Sequence, residues 1–181
     1  KTGGLGDVSA ALPPALAEIG VDVRLLIPNY PSIQAATEKR TFIKSVHPPF
    51  LHYNIDIYKT RLPDTGLIAY IIDAPPLYQR DGNPYLDPQG NDWHDNYLRF
   101  ATLSWVAAHA FDPQWSVDVV HTHDWHTGLT AFWLQQLPQP RPVLLHTIHN
   151  LAFKGALSAS QCIELGIPSA IKSFMQAAVE Y

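Results

Sequence analysis

Of 181 residues, 46% are hydrophobic and 15% charged, enough for one sizeable core in a single domain with at most an appendage. Twelve basic against sixteen acidic residues leave a net charge of −4 without charged runs, which argues against a nucleic-acid partner. One cysteine, Cys162, rules out an internal disulfide and fits a reducing cytosol. No apolar stretch approaches the roughly 20 residues of a membrane span, and no signal-peptide pattern is present, so a cytoplasmic protein is expected.

The chain opens on Lys1-Thr2-Gly3-Gly4-Leu5-Gly6-Asp7-Val8. Glycines this dense read either as a plain tight turn or as a loop whose N–H groups approach an anion, with Lys1 adding a full charge. Val8, Ala11, Leu12, Ala15, Leu16 and Ile19 then fall on one helical face, which would put a helix N-terminus behind that loop. Pro13 and Pro14 are expected to kink or split this helix, and Gly20 to stop it. Val21–Ile27 reads as a buried strand ended by Pro28, so loop, helix and strand form half of a parallel βαβ unit.

From Phe42 to Asp73 the period shortens. Tyr53, Ile55 and Ile57 alternate with polar neighbours, and the turn Pro63-Asp64-Thr65-Gly66 precedes Leu67–Asp73, which predicts a hairpin-like excursion and a return to a central strand. Residues 74–92 read as a long surface loop around Tyr78 and Tyr85. Asp92 and Asp95 suggest a helix start, and Tyr97, Phe100, Ala101, Trp105 and Ala108 a helical stripe belonging to the core. Val117–Val120 is a short strand running into His121-Thr122-His123-Asp124-Trp125-His126, followed by a helix from Thr127 to Leu137. Val143–His149 is another buried strand, running into Asn150. The chain does not begin with Met, opens with no strand before its loop, and closes on a helix-like run, 172–181, with no evident cap. A piece of a longer protein is therefore expected.

The pattern is strand–helix–strand repeated: an α/β, Rossmann-like, mostly parallel sheet with helices on both faces. Polar clusters fall at strand C-terminal ends, where open parallel sheets bind ligands. Five of the nine histidines lie between 121 and 149, so a metal site has to be weighed. His-x-His on a strand places both rings on one face, and His126 could add a third ligand. The run comes near the His-x-His-x-Asp-His pattern of metallo-β-lactamase-type hydrolases, but Asp124 and Trp125 stand one place out of step with it. Histidines hydrogen-bonded within the sheet edge are the plainer reading. No Gly-x-Ser-x-Gly elbow exists and Cys162 has no motif around it, so no nucleophile is indicated. Asp, Asn and His at strand ends, with Trp125 and the loop tyrosines, also suit sugar hydroxyls and pyranose faces, and with an anion-binding loop they suggest a nucleotide-sugar enzyme.

Four ordered blocks carry a family resemblance across essentially the whole chain. Lys1-Thr2-Gly3-Gly4-Leu5-Gly6-Asp7-Val8 with Ala11-Leu12-Pro13 resembles the Lys-x-Gly-Gly-Leu signature of bacterial glycogen synthases and plant starch synthases. Asp73-Ala74-Pro75, Leu77-Tyr78 and Asn83-Pro84-Tyr85 resemble the next block. His121-Thr122-His123-Asp124-Trp125-His126-Thr127-Gly128-Leu129 and Thr147-Ile148-His149-Asn150-Leu151-Ala152-Phe153-Lys154-Gly155 complete it, with Phe153-Lys154 standing where Tyr-Gln is usual.

The resemblance implies the N-terminal, acceptor-side half (residues 1–181, truncated at both ends) of a retaining glucosyltransferase with two Rossmann domains, the GT-B arrangement. Such an enzyme moves glucose from ADP-glucose to the non-reducing end of an α-1,4-glucan, without a metal or other cofactor. Its setting would be the cytoplasm, or the plastid stroma in a plant. By the same resemblance Lys1 and the Gly3–Gly4 backbone hold the donor's phosphates and stabilise the departing diphosphate. His149 lines the donor-glucose pocket, Asn150 extends that wall, Asp124 lies near the sugars on the acceptor side, and Tyr85 contacts substrate. The missing C-terminal domain would carry most of the adenosine site and a glutamate, so the fragment alone is expected not to turn over. A non-catalytic glucan-binding module and, less favourably, a histidine-cluster metallohydrolase are the readings from other classes. A sucrose-synthase-like transferase is the neighbour within the class.

Overall fold

The computed structural model describes residues 3–181, which divide into two compact units, residues 3–46 with 55–93 and residues 47–54 with 94–181. Both are mixed α/β, and each contains a parallel strand pair.

In the first unit, helix α1 (Gly3–Glu18) starts within the glycine run and passes through Pro13 and Pro14 unbroken, against the expectation of a loop followed by a kink. Proline removes two N–H donors, orphaning the carbonyls of Ser9 and Ala10, and both of those residues are exposed, so water can take up the vacancy. Gly3, Gly4, Leu5 and Gly6 now form the first turn, and the N–H groups of Gly3, Gly4 and Leu5 have no partners within the helix. Val8, Leu12 and Leu16 are half-buried, whereas Ala11, Ala15 and Ile19 are exposed. Gly20, at φ 89°, closes the helix, and Val21 donates its N–H back to Leu16. That closure draws Val21 into the cap and delays strand β1 to Arg24–Pro28.

A one-and-a-half-turn helix α2 (Pro31–Ala36) leads to strands β2 (Thr41–Val46), β3 (Ile55–Arg61) and β4 (Ile68–Asp73). The sheet order is β1-β4-β3-β2, parallel between β1 and β4 and antiparallel elsewhere, so the expected hairpin and central strand are both present. Ile55, Ile57, Ala69, Ile71 and Ile72 form its buried core. At the C-terminal ends Asn29 Nδ2 donates to Asp73 Oδ1 at 2.7 Å. The segment expected as a plain loop carries helix α3 (Pro75–Tyr78), which buries Leu77 and Tyr78. Beyond α3, Asn83 Oδ1 accepts from the N–H groups of Tyr85 and Leu86, and Asp87 Oδ1 from those of Gln89 and Asn91. These Asx turns and the Leu86–Asp92 bridge give the loop a fixed shape.

The second unit is built on helix α4 (Asn96–His109), strands β5 (Val119–His123) and β6 (Val143–Thr147) in parallel, and the connecting helix α5 (Leu129–Gln135). Phe100, Ala101 and Ala108 of the predicted stripe are buried, joined by Arg99, Thr102, Ser104 and Val106. A 3-10 turn, Trp125–Thr127, takes Thr127, the first residue of the helix expected over 127–137. Helix α6 (Ala159–Leu165) follows a full capping box between Ser158 and Gln161, a Ser-x-x-Gln signal that the sequence reading passed over. Helix α7 (Phe174–Glu180) is capped by Ser173, correcting the expectation of an uncapped terminal run.

Gly128 locks α5 onto α7: a Cβ there would lie 2.1 Å from the Phe174 carbonyl oxygen. Backbone cannot yield as a side-chain tip can, so Gly128→Ala is expected to cost about 3 kcal/mol, the upper end of overpacking penalties. Urea unfolding of the protein checks this, and an unchanged midpoint would mean the two helices are not seated as described.

Candidate active site

Parallel pairing sets His121 opposite Leu145, Thr122 opposite His146 and His123 opposite Thr147. Alternation along each strand then sorts the polar groups by face. On one face His121 Nε2 meets Thr147 Oγ1 at 2.8 Å, and the His121 and His123 ring centroids are 4.2 Å apart. On the other, Thr122 Oγ1 meets His146 Nδ1 at 2.8 Å. His-x-His therefore does place two rings together, as the spacing predicts.

The chain turns sharply after β5. Thr127 Oγ1 accepts from the His123 N–H and donates to the His123 carbonyl, each at 2.9 Å, stapling the turn. At its apex Asp124 adopts φ 54° and ψ −177°, a region that essentially only glycine occupies freely. This is the one non-glycine positive φ among the described residues. The strain, of order 1–3 kcal/mol at such a position, has an identifiable return. Asp124 is buried, at 7% exposure, and its Oδ1 accepts from the N–H of His149 at 2.7 Å and of Asn150 at 3.2 Å. Its own N–H donates to the Thr147 carbonyl at 2.9 Å. One carboxylate thus ties the C-terminal end of β5 to the segment leaving β6.

His149 and Asn150 are both exposed. The His149 ring reaches back so that its Nε2 lies 3.1 Å from His123 Nδ1. Asn150 Oδ1 accepts from the Ala152 N–H at 2.9 Å, shaping the loop that follows. Behind the turn Trp125 packs edge-on to Phe100 and to Phe174, at centroid distances of 4.9 and 5.7 Å. Gly155, at φ 61°, lies flat on the Trp125 ring, where a Cβ would come within 2.2 Å of Cε3.

Of the residues singled out from sequence, Asp124, His149 and Asn150 are brought together in the second unit. Gly3, Gly4 and the half-buried Tyr85 belong to the first unit, and Lys1 lies outside the described residues. His126, weighed as a metal ligand, is buried against Phe100 at 5.0 Å, off the cluster of His121, His123 and His149. Among the described residues no group of three or more His, Cys, Asp or Glu is arranged to hold a metal ion. His123, weighed from sequence only within the histidine cluster, contacts His149 directly, and Thr147, which meets His121 Nε2 and accepts from the Asp124 N–H, had no role assigned from sequence. Strand alternation places them on the face of His121, and the register then identifies their contacts.

Burial lowers His123 to about 4, with like charge from His121 and His149 adding to the effect and Asp124 opposing it. Burial likewise lowers His126 to about 4, again opposed by Asp124, and it pulls His121 and His146 down. Folding therefore favours the neutral rings. Their contribution to stability is fully present above the unfolded value of about 6.5 and is lost as pH falls toward the folded value. Stability is expected to be flat above pH 7 and to decline through the acid range, by up to about 1.4 kcal/mol per pH unit for each proton taken up on unfolding. His126→Phe, which keeps a ring and removes the titration, should flatten the decline in unfolding midpoints measured against pH. An unaltered slope would take His126 out of the account.

A family model described as "Starch synthase catalytic domain" matches residues 1–181. The glycogen synthase of Francisella philomiragia is 42% identical, aligned over 93% of this chain and 36% of its own length. That of Pasteurella multocida is 45% identical over 93% of this chain and 35% of its own length. The glycogen synthase of Albidiferax ferrireducens is 40% identical over 100% of this chain and 42% of its own. Among solved structures, the catalytic domain of starch synthase IV from Arabidopsis thaliana, bound to ADP and acarbose, superposes with a TM-score of 0.74 at 25% identity. It covers 94% of this chain and 35% of that one. The chain thus spans a little over a third of the length of most of these relatives. With the family model matched from end to end, and glycogen synthases 40–45% identical over nearly all of it, the chain belongs to the starch synthase catalytic domain family.

Proposed function

We propose that this chain is the N-terminal, acceptor-side half of a glycogen or starch synthase that transfers glucose from ADP-glucose to the non-reducing end of an α-1,4-glucan with retention of configuration. In the net reaction the bond from glucose C1 to the diphosphate oxygen breaks and a bond from C1 to the acceptor's O4 forms. The hydroxyl proton leaves with the diphosphate or to solvent. The leaving group gains negative charge as it departs, and fixed N–H donors with a lysine suit that charge without a metal. Lys1 and the first turn of α1, with its unpaired N–H groups at Gly3 and Gly4, take this role. His149 and Asn150 line the donor glucose, Asp124 holds them there, and Tyr85 contributes substrate contact from its ordered loop. A C-terminal domain carrying the adenosine site completes the enzyme, so this half alone binds without turning over.

The observation that carries the reading is Asp124: a strained, buried carboxylate placing two backbone segments at the C-terminal ends of parallel strands, where α/β folds bind ligands. A binding-only module has no need for Lys1, and the metallohydrolase reading is disfavoured by family membership. The test is glucose transfer to glycogen by the full-length protein from ADP-glucose and from UDP-glucose, with and without EDTA. Transfer that prefers ADP-glucose and survives chelation is expected. Absence of transfer from either donor, or activity abolished by EDTA, would overturn the proposal.

A further inference from the structure

The contact between His123 and His149 is a hydrogen bond in the ring plane. The planes lie 13° apart, and the centroid separation of 5.3 Å is as large as the 3.1 Å nitrogen contact plus the two ring radii allows, so the imidazoles meet edge to edge and not face to face. His123 is itself fixed. Thr127 staples its backbone, β6 pairs with it through Thr147, and the ring of His121, held by the Thr147 hydroxyl, lies against it. His149 is exposed, and nothing else described fixes its ring, although Asp124 fixes its main chain.

We infer that His123 is a positioning residue for His149, occupying Nε2 of its ring and leaving Nδ1 as the one ring nitrogen that faces a ligand. The inference rests on the reading of His149 as a donor-glucose residue. Two neutral imidazoles share a single N–H across this contact. If His123 donates, His149 presents a protonated Nδ1, a donor; if His149 donates, it presents a bare Nδ1, an acceptor. Either way the tautomer is locked, and the ring is held before substrate arrives, which removes an ordering cost from the bound state. Besides its partner, the titratable groups around His123 are His121 on its own face, His146 on β6 and Asp124 at the turn. Burial and these histidines oppose a positive charge at His123, which keeps its own ring neutral near neutral pH.

Kinetics of the full-length protein test this with three variants. His123→Phe keeps the ring against His121 and removes the hydrogen bond; it is expected to lower kcat about 10- to 100-fold, the scale of a small misplacement at a reacting centre, with KM for glycogen unchanged. His123→Asn, whose amide nitrogen sits near the place of Nδ1, should recover most of that loss. The double variant His123→Phe with His149→Ala should be no slower than His149→Ala alone, because His123 acts through His149. Normal kcat in His123→Phe beside a disabled His149→Ala would overturn the positioning role and leave the functional reading standing. Normal kcat in both would overturn the reading of His149 itself. Equal losses in the Phe and Asn variants would reduce His123 to a structural residue. Nitrogen-15 histidine spectra of the unaltered protein supply a check that needs no variant to fold: one tautomer of the neutral His149 ring is expected, and a tautomer mixture would contradict the locked pair.

Discussion

Asp124→Ala in the full-length protein is expected to cut turnover about 10²- to 10³-fold and to destabilise the domain at the same time. The catalytic part follows from geometry: the His149 and Asn150 N–H groups lose the oxygen that fixes them, and loose positioning at a reacting centre costs on this scale. The stability part follows from the loss of two hydrogen bonds to the buried Asp124 side chain, each hydrogen bond to a charged group contributing about 1.5–3 kcal/mol. Alanine also inherits the φ of 54° without any return for it. Asp124→Gly separates the two effects, since glycine relaxes the backbone but supplies no carboxylate. It should be more stable than Asp124→Ala, by about 1–3 kcal/mol, and no more active. Steady-state kinetics and urea midpoints on the pair of variants check this. Restored turnover in the glycine variant would show that the backbone conformation, and not the carboxylate, is what the site depends on.

The second large effect concerns the donor's phosphates. Lys1→Ala in the full-length protein should lower kcat by about 10²- to 10³-fold while glycogen binding stays the same, the loss associated with one preorganised charge-stabilising group. On the proposed reading lysine does not act alone, because the first turn of α1 offers the N–H groups of Gly3, Gly4 and Leu5, which have no partner within the helix. A residual rate well above background is therefore expected. Measuring kcat with ADP-glucose saturating, beside glycogen affinity measured separately, distinguishes a catalytic loss from a binding one. An unchanged kcat would remove the phosphate role from Lys1.

Much of the second unit was legible because its signals are local and periodic. Short apolar runs marked the strands, the helical stripe of α4 marked Phe100 and Ala108 as core, and His-x-His announced two rings on one face. The beginning of the chain was misread because glycine carries two meanings. Its freedom at positive φ suggested a loop, yet its lack of a side chain also suits the first turn of a helix, which is where Gly3–Gly6 lie. Pro13 and Pro14 were read by propensity alone, whereas an exposed helix can leave two carbonyls to water. Helix α6 was missed although its capping box stood in the sequence, because too few apolar residues repeat around it to signal a helical face. The role of Asp124 could not have been read at all. It depends on a backbone conformation unusual for aspartate and on a partner segment 25 residues downstream, and only the parallel register of β5 and β6 brings the two together.

The measurement that tests the central claim most directly is the structure of the full-length protein with a non-transferable ADP-glucose analogue. The account predicts the glucose ring at the C-terminal ends of β5 and β6, within hydrogen-bonding distance of His149 and Asn150, with Asp124 Oδ1 still accepting from both N–H groups. A glucose ring bound elsewhere, with His149 and Asn150 facing only solvent, would contradict it.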